Sequence, residues 1–482
     1  MCELDLPLKF AQKLYNEFAI RHPNAFYLRT RQRGMQNWDG KIHYITKTGQ
    51  FKIGLLPKVY DMCIEMGIKP KVVDMRQPLP KVSKVVTKIG KYKLRPEQKK
   101  AVKAVINNTI GGKPFHIGVL DYTVNAGKTL IMSSLYLSYK KQLKTLLITN
   151  DSDWLNQARE EFKQYLPGED ITFVQGKVLN WSNFTIGMVQ SISRNMRFYQ
   201  KELSQIDMVL IDEADQGGSR QYQNVITRLF NTRIRIGLSG TIYMSKLAKD
   251  KVKNMNLECF FGKVLAEFKL RDSIKKGYST KTIVKMVPGK PWYGNWESDC
   301  ISYKEIYDDS ITNSYTAWLM AYSRLRWNIN QGRYPALVVC KYIAHCENLY
   351  KFFKKKLGDA YNIAYVHVNT KSKLRQQIMK DFRDGKIDIL VSTTIIARGK
   401  NFPKLRYLLN AASMDSQEKS IQFLGRLVRT DKSKKKVYLD DLHYPGNYLD
   451  RHGKHRKQYY QRQELKVILL DKLWKKHPNH TI

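Results

Sequence analysis

Cysteine is scarce in this sequence, and the few cysteines are scattered. The 482 residues contain six cysteines, and no two of them form a C-x-x-C pair. A zinc site or a disulfide framework needs cysteines at short and regular spacings. We therefore expect reduced thiols, most of them buried.

Long apolar segments are absent as well. No window of eighteen or more residues is both apolar and uncharged, and the N-terminus, MCELDLPLKF, lacks the basic-then-apolar order of a secretory signal. A membrane-spanning helix needs about twenty predominantly apolar residues in a row. The sequence therefore argues against a membrane-spanning protein and predicts a soluble, cytoplasmic one.

Acidic residues are outnumbered two to one. The chain has 42 aspartates and glutamates against 84 lysines and arginines, which gives a formal charge of +42. An excess of this size predicts a polyanionic partner, with nucleic acid as the first candidate and an anionic membrane surface as the second. The length is sufficient for about three domains.

The chain is organised around a short loop between an apolar run and a helical pattern. The run FHIGVL begins at Phe115, the loop ends in Asn125-Ala126-Gly127-Lys128-Thr129, and apolar residues at helical spacing follow. A strand, a loop and a helix in this order direct backbone N–H groups and the positive end of the helix dipole at a phosphate. Lys128 would reach the outer phosphates of ATP, and the Thr129 hydroxyl would hold Mg²⁺. The alternative is a chance Gly-Lys-Thr at a helix start.

A pair of acids follows the apolar strand DMVLI. The strand continues into Asp212-Glu213-Ala214-Asp215. In a nucleotide-hydrolysing site the first acid at such a strand end holds Mg²⁺, and the next can orient and deprotonate the attacking water. We therefore assign the metal to Asp212 and the water to Glu213. Two carboxylates that only cap a strand are the alternative.

Hydroxyl and guanidinium side chains occur in two later motifs. Ser239-Gly240-Thr241 ends the strand IRIGLSGT, where small hydroxyls can hydrogen-bond the acids of the preceding strand. The later stretch QFLGRLVR contains Gln422, Arg426 and Arg429, and its spacing predicts that both arginines lie on one face of a helix. Facing the loop across an interdomain cleft, they would neutralise charge that grows on the γ-phosphate.

Strand and helix patterns alternate from about residue 92 onward. This order predicts two successive α/β domains, each with a parallel sheet flanked by helices. We divide the chain into a basic N-terminal module, the two α/β domains and a basic helical tail, at residues 1–88, 89–267, 268–445 and 446–482. The tail either grips a phosphate backbone or packs on the second domain as a solvated helix.

The N-terminal module is predicted to be a small α+β unit. Asn37-Trp38-Asp39-Gly40 beside the alternating KIHYI predicts a hairpin, and Thr48-Gly49-Gln50 predicts a turn. The module has sixteen lysines and arginines against seven acids. Basic residues such as Lys41, interleaved with aromatic ones, suit a nucleic-acid backbone. We therefore assign DNA binding to the module, although Trp38 alternatively packs in its core.

Taken in order, these motifs resemble those of the superfamily 2 helicases over about residues 91–440. AGKT, DEAD, SGT and QFLGRLVR are similar to motifs I, II, III and VI. LRPEQ is similar to the adenine-recognising segment, and TNDSDWLNQ, VQS and TTIIARGKN stand where motifs Ia, Ic and V lie. The resemblance implies two tandem RecA-like domains with ATP and Mg²⁺ as cofactors. It also implies nucleotide binding by Arg95, Gln98 and Gly399, and nucleic-acid contacts by Gln157, Gln190, Ser191 and Thr393.

Within the superfamily, the chain departs from the DEAD-box RNA helicases, which carry SAT in motif III and HRxGRxGR in motif VI. It resembles the UvsW-type recombination helicases of T-even bacteriophages, because NWDGKI…GLLPKVYDMCIEMG is similar to their small DNA-binding module. This resemblance implies 3′-to-5′ remodelling of forks, D-loops and Holliday junctions in the host cytoplasm, with phage replication or recombination proteins as partners. Tyr122 and Asn125 depart from the commoner residues of motif I.

We therefore expect a monomeric DNA helicase or translocase that depends on ATP and Mg²⁺. Two alternatives stay open at this point. One is an RNA helicase, and the other is a DNA-annealing protein that uses ATP only as a conformational switch.

Overall fold

The structure of the protein is a computed structural model. It describes residues 1–5, 7–31, 34–139, 142–176, 178–242, 248–289, 302–397, 402–415, 417–431 and 434–470. The chain divides into two compact units, Met1–Phe268 and Lys269–Ile482. Each unit contains one large, mainly parallel sheet flanked by helices. This confirms the predicted α/β class with two tandem RecA-like domains.

The first unit opens with short elements. The 3-10 turn Ile53–Leu55 precedes the third helix, and two strand pairs are formed by two residues each. The helices and strands are α1 (Leu8–Glu17), β1 (Ala19–Arg21), α2 (Ala25–Arg31), β2 (Lys41–His43), α3 (Leu56–Glu65), β3 (Lys88–Ile89), β4 (Tyr92–Lys93), β5 (Thr109–Ile110) and β6 (Lys113–Pro114).

The hairpin predicted at Asp39-Gly40 is wrong. Strand β2 pairs antiparallel with β1, and α2 lies between them in the chain. The Asp39 carboxylate accepts a hydrogen bond from the Lys41 N–H at 2.9 Å, and the Gly40 carbonyl accepts one from the His22 N–H at 2.8 Å. Asp-Gly therefore aligns the start of β2 with the end of β1 instead of closing a two-residue turn. The turn at Thr48-Gly49-Gln50 is confirmed, because the Thr46 N–H donates to the Gln50 carbonyl at 2.9 Å.

The sheet of the first unit has eight strands. Their order across the sheet is β10-β9-β11-β8-β12-β13-β7-β14, and all neighbours are parallel except the edge pair β10 and β9. The strands are β7 (His116–Tyr122), β8 (Thr145–Thr149), β9 (Ile171–Gln175), β10 (Val178–Leu179), β11 (Phe184–Met188), β12 (Met208–Asp212), β13 (Ile234–Ser239) and β14 (Val264–Phe268).

Seven helices accompany this sheet. Because β7, β8, β12 and β13 are buried along their whole length, their apolar residues read as continuous runs, as expected for a parallel sheet covered on both faces. The helices are α4 (Pro96–Ile106), α5 (Lys128–Ser138), α6 (Ser152–Tyr165), α7 (Val189–Arg194), α8 (Gln200–Ser204), α9 (Arg220–Ile226) and α10 (Ala248–Phe261).

The residues before β7 share a hydrophobic core with the rest of the first unit. Leu55 and Val59, from the N-terminal part, belong to the same buried cluster as Leu257, Phe260 and Phe261 of α10. The division into a module of residues 1–88 and a domain that begins at residue 89 therefore stays a prediction.

The second unit contains a parallel sheet of seven strands in the order β17-β18-β16-β19-β20-β15-β21. The strands are β15 (Lys281–Pro288), β16 (Ala336–Cys340), β17 (Ile363–Val366), β18 (Ile389–Thr393), β19 (Tyr407–Asn410), β20 (Lys436–His443) and β21 (Lys466–Leu469). The helices are α11 (Leu270–Lys275), α12 (Tyr303–Tyr307) with a following π-helical turn (Asp308–Thr312), α13 (Tyr315–Ile329), α14 (Ile343–Leu357), α15 (Ser372–Asp384), α16 (Gln417–Leu427) and α17 (Asn447–Arg462).

The predicted basic tail helix is α17, and it packs on the sheet of the second unit. Arg456, Tyr459 and Tyr460 are buried, and the Arg456 guanidinium donates two hydrogen bonds to the Asp441 carboxylate at 2.8 and 3.0 Å. This favours the second of the two alternatives, in which the tail helix packs on the second domain.

Two expectations from composition agree with the described residues. The five cysteines among them are free thiols, and four of these are buried. None of the helices described is both long and apolar enough to cross a bilayer.

Candidate nucleotide site and nucleic-acid interface

The loop between β7 and α5 contains two residues in the left-handed region of backbone space. Asn125 has a φ of +64°, and Gly127, which begins the helix, has a φ of +71°. Asparagine is enriched several-fold among non-glycine residues in this conformation, so it can take the place of a glycine in the loop. The backbone N–H groups of such a loop, and of the first turn of the helix after it, are where a phosphate can bind.

Gln98 and Arg95, at the start of α4, hold this loop from the side. The Gln98 side chain is almost fully buried, and its amide donates to the Ala126 carbonyl at 2.8 Å and accepts from the Arg95 N–H at 2.9 Å. The Arg95 guanidinium donates to the Asn125 carbonyl at 3.2 Å. The structure therefore brings all the residues predicted to bind nucleotide in the first unit to one place.

Tyr122, the residue that departs from the usual motif I, is a structural part of the same cluster. It is fully buried, and its hydroxyl donates to the Glu97 carbonyl at 2.7 Å. Burial raises the pKa of this phenol, so it stays a neutral donor. The departure therefore adds a bond between the end of β7 and α4, and it leaves the loop between Thr123 and Lys128 intact.

Lys128 and Asp212 form an ion pair at the carboxyl edge of the sheet. The Lys128 ammonium lies 3.3 Å from Asp212 Oδ1, at the ends of α5 and β12 that face one another. Burial opposes the charge, but the carboxylates of Asp212 and Glu213 outweigh it and raise the pKa of Lys128. The lysine is therefore a permanent cation where the phosphates are predicted to bind.

The carboxylate of Asp212 is chemically suited to bind a hard cation such as Mg²⁺. Asp212 is 2% exposed, and its Oδ1 accepts no hydrogen bond from the described residues although the Lys128 ammonium is near. Mg²⁺ in such sites is bound by one or two protein oxygens, with phosphates and water as its other ligands. Among the described residues, no group of three or more histidine, cysteine or acidic side chains could hold a metal ion. The sequence predicts that Thr129, next to Lys128, supplies a second protein oxygen.

The remaining DEAD residues are held by motif III. Glu213 has a φ of +52°, which is unusual for a residue that is not glycine. The Ser239 hydroxyl donates to Asp215 Oδ1 at 2.7 Å, and the Thr241 N–H donates to the Ser239 hydroxyl at 3.1 Å. The predicted hydrogen bond between the hydroxyls of SGT and the acids is confirmed.

The predicted nucleic-acid residues of the first sheet lie at the ends of β8 and β11. Gln190 and Ser191 are on α7, where the Gln190 amide donates to the Asn150 carbonyl at 3.4 Å and the Ser191 hydroxyl accepts from the Gly176 N–H at 2.9 Å. Gln157 is exposed on α6, and its amide donates to the Glu161 carboxylate at 2.6 Å. These residues do not contact the Lys128 and Asp212 pair.

The N-terminal residues form a basic groove between α2 and β2. Trp38 is half-buried and donates its indole N–H to the Lys41 carbonyl at 2.9 Å, so its position is structural. Phe26 is 80% exposed at the groove, which no sequence pattern had indicated. The groove is lined by Arg21, Ala25, Phe26, Arg29, Thr30, Gln36, Asp39, Gly40 and Lys41.

In the second unit, Thr393 ends β18, and Gln422 and Arg426 lie on α16. The prediction that Arg426 and Arg429 share one helical face is wrong, because α16 ends at Leu427. The Thr280 N–H donates to the Val428 carbonyl at 2.8 Å and the Thr280 hydroxyl donates to the Arg429 carbonyl at 3.2 Å, so the chain leaves the helix there. Gly399 lies outside the described residues.

Two protein-family models match the chain. "Type III restriction enzyme, res subunit" matches residues 91–244, and "Helicase conserved C-terminal domain" matches residues 321–431. Both are helicase domains, they occur in the order of the two sheets, and together they span more than half of the chain. The chain belongs to the superfamily 2 helicases. Such proteins hydrolyse ATP, so this helicase is an ATP hydrolase.

Individual relatives agree with this assignment. The helicase is 24% identical over 377 residues to "Putative ATP-dependent helicase IRC3" of Saccharomyces cerevisiae, which covers 72% of this chain and 51% of the relative. It therefore spans about half of the length of that relative. It is 22% identical over 478 residues to "ATP-dependent DNA helicase uvsW" of Enterobacteria phage T4, with 90% of each chain covered. The fold is also similar to that of S. cerevisiae Dbp5 bound to RNA and ADP BeF3, with a TM-score of 0.54, 14% identity and coverage of 80% and 92%.

Proposed function

We propose that this helicase couples ATP hydrolysis to translocation on DNA and remodels forks, D-loops and Holliday junctions during replication, recombination or repair, with 3′-to-5′ polarity. The observation that carries the choice of DNA is the similarity to the phage T4 helicase, which covers 90% of both chains and so extends beyond the two helicase regions. A relative that shares only the two helicase regions would support ATP hydrolysis but not the substrate.

The first unit supplies the nucleotide site in this proposal. Gln98 and Arg95 recognise the adenine side, the backbone of residues 125–127 and the Lys128 ammonium bind phosphates, and Thr129 and Asp212 hold Mg²⁺. When bound, the metal neutralises charge on the phosphates. Glu213 orients the attacking water and accepts its proton, which agrees with its place directly after Asp212 on the chain.

We assign further catalytic roles to residues of the second unit. Gln422, Arg426 and Arg429 act on the γ-phosphate, and Gly399 contacts the nucleotide. The arginines stabilise charge in the transition state, as arginine fingers do. Because neither unit holds all of these residues, hydrolysis requires that both take part, and this couples the chemistry to domain motion.

Nucleic acid is bound electrostatically and by stacking. Arg21, Arg29 and Lys41 offer positive charge in the N-terminal groove, and the exposed Phe26 ring offers a surface on which a base can stack. Gln157, Gln190, Ser191 and Thr393 contact the strand along the two sheets. We propose that the module of residues 1–88 recognises the branched part of the DNA.

The proposal is tested with purified protein by ATPase and strand-separation assays on forks, D-loops, four-way junctions and RNA duplexes. We expect Glu213→Gln and Lys128→Ala to abolish DNA-stimulated hydrolysis and unwinding. Glu160→Gln, an exposed acid on α6 of the same unit, is the matched control and should behave as wild type. Substantial turnover by Glu213→Gln would overturn the assignment of the catalytic acids.

The same assays separate the two alternatives. Stimulation by RNA and not by DNA would identify an RNA helicase. Annealing that persists in Glu213→Gln, together with no strand separation by the wild type, would identify an annealing protein in which ATP is a switch. Preferential unwinding of branched DNA supports the proposal over both.

A further inference from the structure

Phe261, the last residue of α10, is wedged between the segment that carries the DEAD acids and the strand that leads to motif III. Its side chain is fully buried. A Cβ atom added to Gly217 would lie 2.4 and 2.7 Å from two atoms of the Phe261 ring, and one added to Gly237 would lie 3.2 Å from the same ring. Both positions are glycine, so the ring contacts the backbone directly, at Gly217 just after the DEAD residues and at Gly237 on β13.

These two glycines stand next to the residues proposed to act on water and metal. Gly217 donates its N–H to the Ala214 carbonyl at 2.9 Å. Ala214 directly follows Glu213, whose backbone is in the left-handed region. Gly237 lies on β13 two residues before Ser239, which donates to Asp215. The Phe261 ring therefore supports both partners of the hydrogen bond that holds the DEAD segment (residues 212–215).

The opposite side of the same helix end packs on the N-terminal residues. A Cβ atom on Gly54 would lie 2.1 Å from the Glu258 carbonyl oxygen and 2.7 Å from the Cys259 carbonyl carbon, so the two backbones are in direct contact. The Lys58 ammonium pairs with the Glu258 carboxylate at 2.6 Å, and the Lys52 ammonium lies 4.0 Å from the centroid of the Phe260 ring. Residues 258–261 thus contact residues 52–58, and Phe261 also contacts Gly217 and Gly237, which flank the DEAD segment and motif III.

We propose that Phe261 is a positioning residue for the DEAD segment and that residues 52–58 hold it in place through the end of α10. A displacement of the N-terminal contact shifts the ring, and the ring shifts Ala214, Gly217 and the Ser239 to Asp215 bond. The N-terminal part of the chain thereby sets the rate of ATP hydrolysis as well as binding nucleic acid. This inference rests on the proposed roles of Asp212 and Glu213.

The first test uses a pair of adjacent glycines. Gly217 has a φ of −61° and a ψ of −14°, which alanine adopts readily, so Gly217→Ala requires no unusual backbone angle. The added Cβ forces the Phe261 ring away, and it also comes within 2.9 Å of the Ala214 carbonyl oxygen. A displacement of about 1 Å near reacting groups costs roughly 100-fold in rate, so we expect kcat for DNA-stimulated hydrolysis to fall about 10- to 100-fold with little change in KM for ATP. Gly218→Ala, whose Cβ would meet only Leu257 at 3.8 Å, is the control and should keep wild-type kcat.

A second-site change distinguishes positioning from loss of folding. Leucine lacks the ring atoms that an alanine at position 217 would meet, so Phe261→Leu combined with Gly217→Ala should recover most of the kcat lost in the single variant. A double variant that is no faster than Gly217→Ala alone would contradict the proposal.

The N-terminal side is tested with Gly54→Ala, which should lower kcat while KM for ATP stays near the wild-type value. If that variant does not fold, Lys58→Glu replaces it, because the Lys58 side chain is 53% exposed and the change turns the ion pair with Glu258 into a repulsion between two carboxylates. Wild-type kcat in Lys58→Glu and in whichever of the other variants folds would overturn the inference.

Glu213→Gln distinguishes failure of this inference from failure of the proposed function. If Glu213→Gln is inactive and these variants are normal, only the inference fails. If Glu213→Gln is active, the proposed function fails as well.

Discussion

At the scale of single residues, Gly127 has the strictest requirements of the nucleotide loop. Its φ is +71°, and a Cβ atom there would lie 2.4 Å from Nε2 of Gln98. We expect Gly127→Ala to displace the Gln98 amide from the Ala126 carbonyl and to raise KM for ATP by about 10-fold or more, since roughly 1.4 kcal/mol of binding energy corresponds to each tenfold. Steady-state ATPase titrations measure the change.

The control for this prediction is another glycine with the same backbone. Gly112 has a φ of +72°, and no atom lies within 4 Å of an added Cβ. Gly112→Ala should therefore carry the same conformational cost of about 1–2 kcal/mol in stability without a change in KM for ATP. If both variants shift KM equally, the effect comes from backbone strain and the contact with Gln98 is irrelevant.

Lys434 is a buried lysine whose side chain hydrogen-bonds the end of α16, the helix of motif VI. Its ammonium donates to the Leu427 carbonyl at 3.1 Å and to the Leu405 carbonyl at 3.0 Å. Burial, with help from the nearby Arg406 and Arg429, lowers the pKa of this lysine to about 8. In the unfolded chain the pKa returns to about 10.5, so the folded state binds fewer protons between these values.

The sign of the pH effect follows from this difference. Below pH 8 the folded protein carries the full cost of the buried charge, and this cost is relieved as the pH rises towards 10.5. We expect the free energy of unfolding of the wild type, minus that of Lys434→Met, to increase over this range by up to about 3 kcal/mol. Urea denaturation at a series of pH values measures it, and a difference that stays flat or falls contradicts the assigned pKa.

At the scale of elements, α17 depends on one buried ion pair. The Arg456 guanidinium is fully buried against Asp441, which also accepts hydrogen bonds from the Tyr460 hydroxyl at 2.7 Å and the Asn410 amide at 2.9 Å. Arg456→Met leaves the Asp441 carboxylate buried without its cation, so we expect a loss of about 3–5 kcal/mol in stability. Denaturant unfolding of the second unit measures this loss.

Lys454 on the same helix provides the comparison. Its side chain is 66% exposed and pairs with Asp450 at the surface, so Lys454→Met should cost less than about 1 kcal/mol. If Arg456→Met is as mild as Lys454→Met, the helix is not anchored through Asp441. The phosphate-gripping interpretation of the tail would then regain support.

Continuous apolar runs made the sheets predictable from the sequence. Strands β7, β12 and β13 are buried along their whole length, and the apolar runs FHIGVL, DMVLI and IRIGLSGT predicted them close to their observed bounds. Strands β14, β15 and β21 have no such continuous run, because they alternate buried with exposed residues or are short and half-exposed at a sheet edge. Their pairing depends on partners far away in the chain, which local periodicity does not reveal.

The site residues were predictable for a similar reason, and the errors show where that reason ends. Lys128 begins the helix after β7 and Asp212 ends β12, so the alternation of strands and helices was sufficient to predict both at the carboxyl edge of one parallel sheet. The end of α16 before Arg429 depends on Thr280, nearly 150 residues away. In the same way, the strand after Asp39-Gly40 (β2) pairs with β1 and not with the chain just before it, because helix α2 separates the two strands in the sequence. Tertiary hydrogen bonds of this kind override local spacing.

At the scale of the whole molecule, the formal charge of +42 favours any polyanion, so charge alone does not select DNA. The electrostatic part of binding weakens steeply with salt, whereas the stacking on Phe26 that we propose does not. We therefore attribute the choice of partner to the contacts proposed for the groove and the two sheets, and not to the net charge.

The requirement for both units leads to a last prediction. If Arg426 acts on a nucleotide held by Lys128, its loss removes charge stabilisation only in the transition state, and kcat should fall by about 10³- to 10⁵-fold while ATP binding is kept. Arg426→Ala, assayed by DNA-stimulated ATPase and by equilibrium binding of a fluorescent ATP analogue, measures both quantities.

The control is Arg383→Ala, which changes an exposed arginine in the last turn of α15 and should leave kcat and ATP binding unchanged. Because Arg426 and Lys128 belong to different compact units, near-normal kcat in Arg426→Ala would mean that the first unit hydrolyses ATP without the second, and coupling of hydrolysis to domain motion would have to be abandoned.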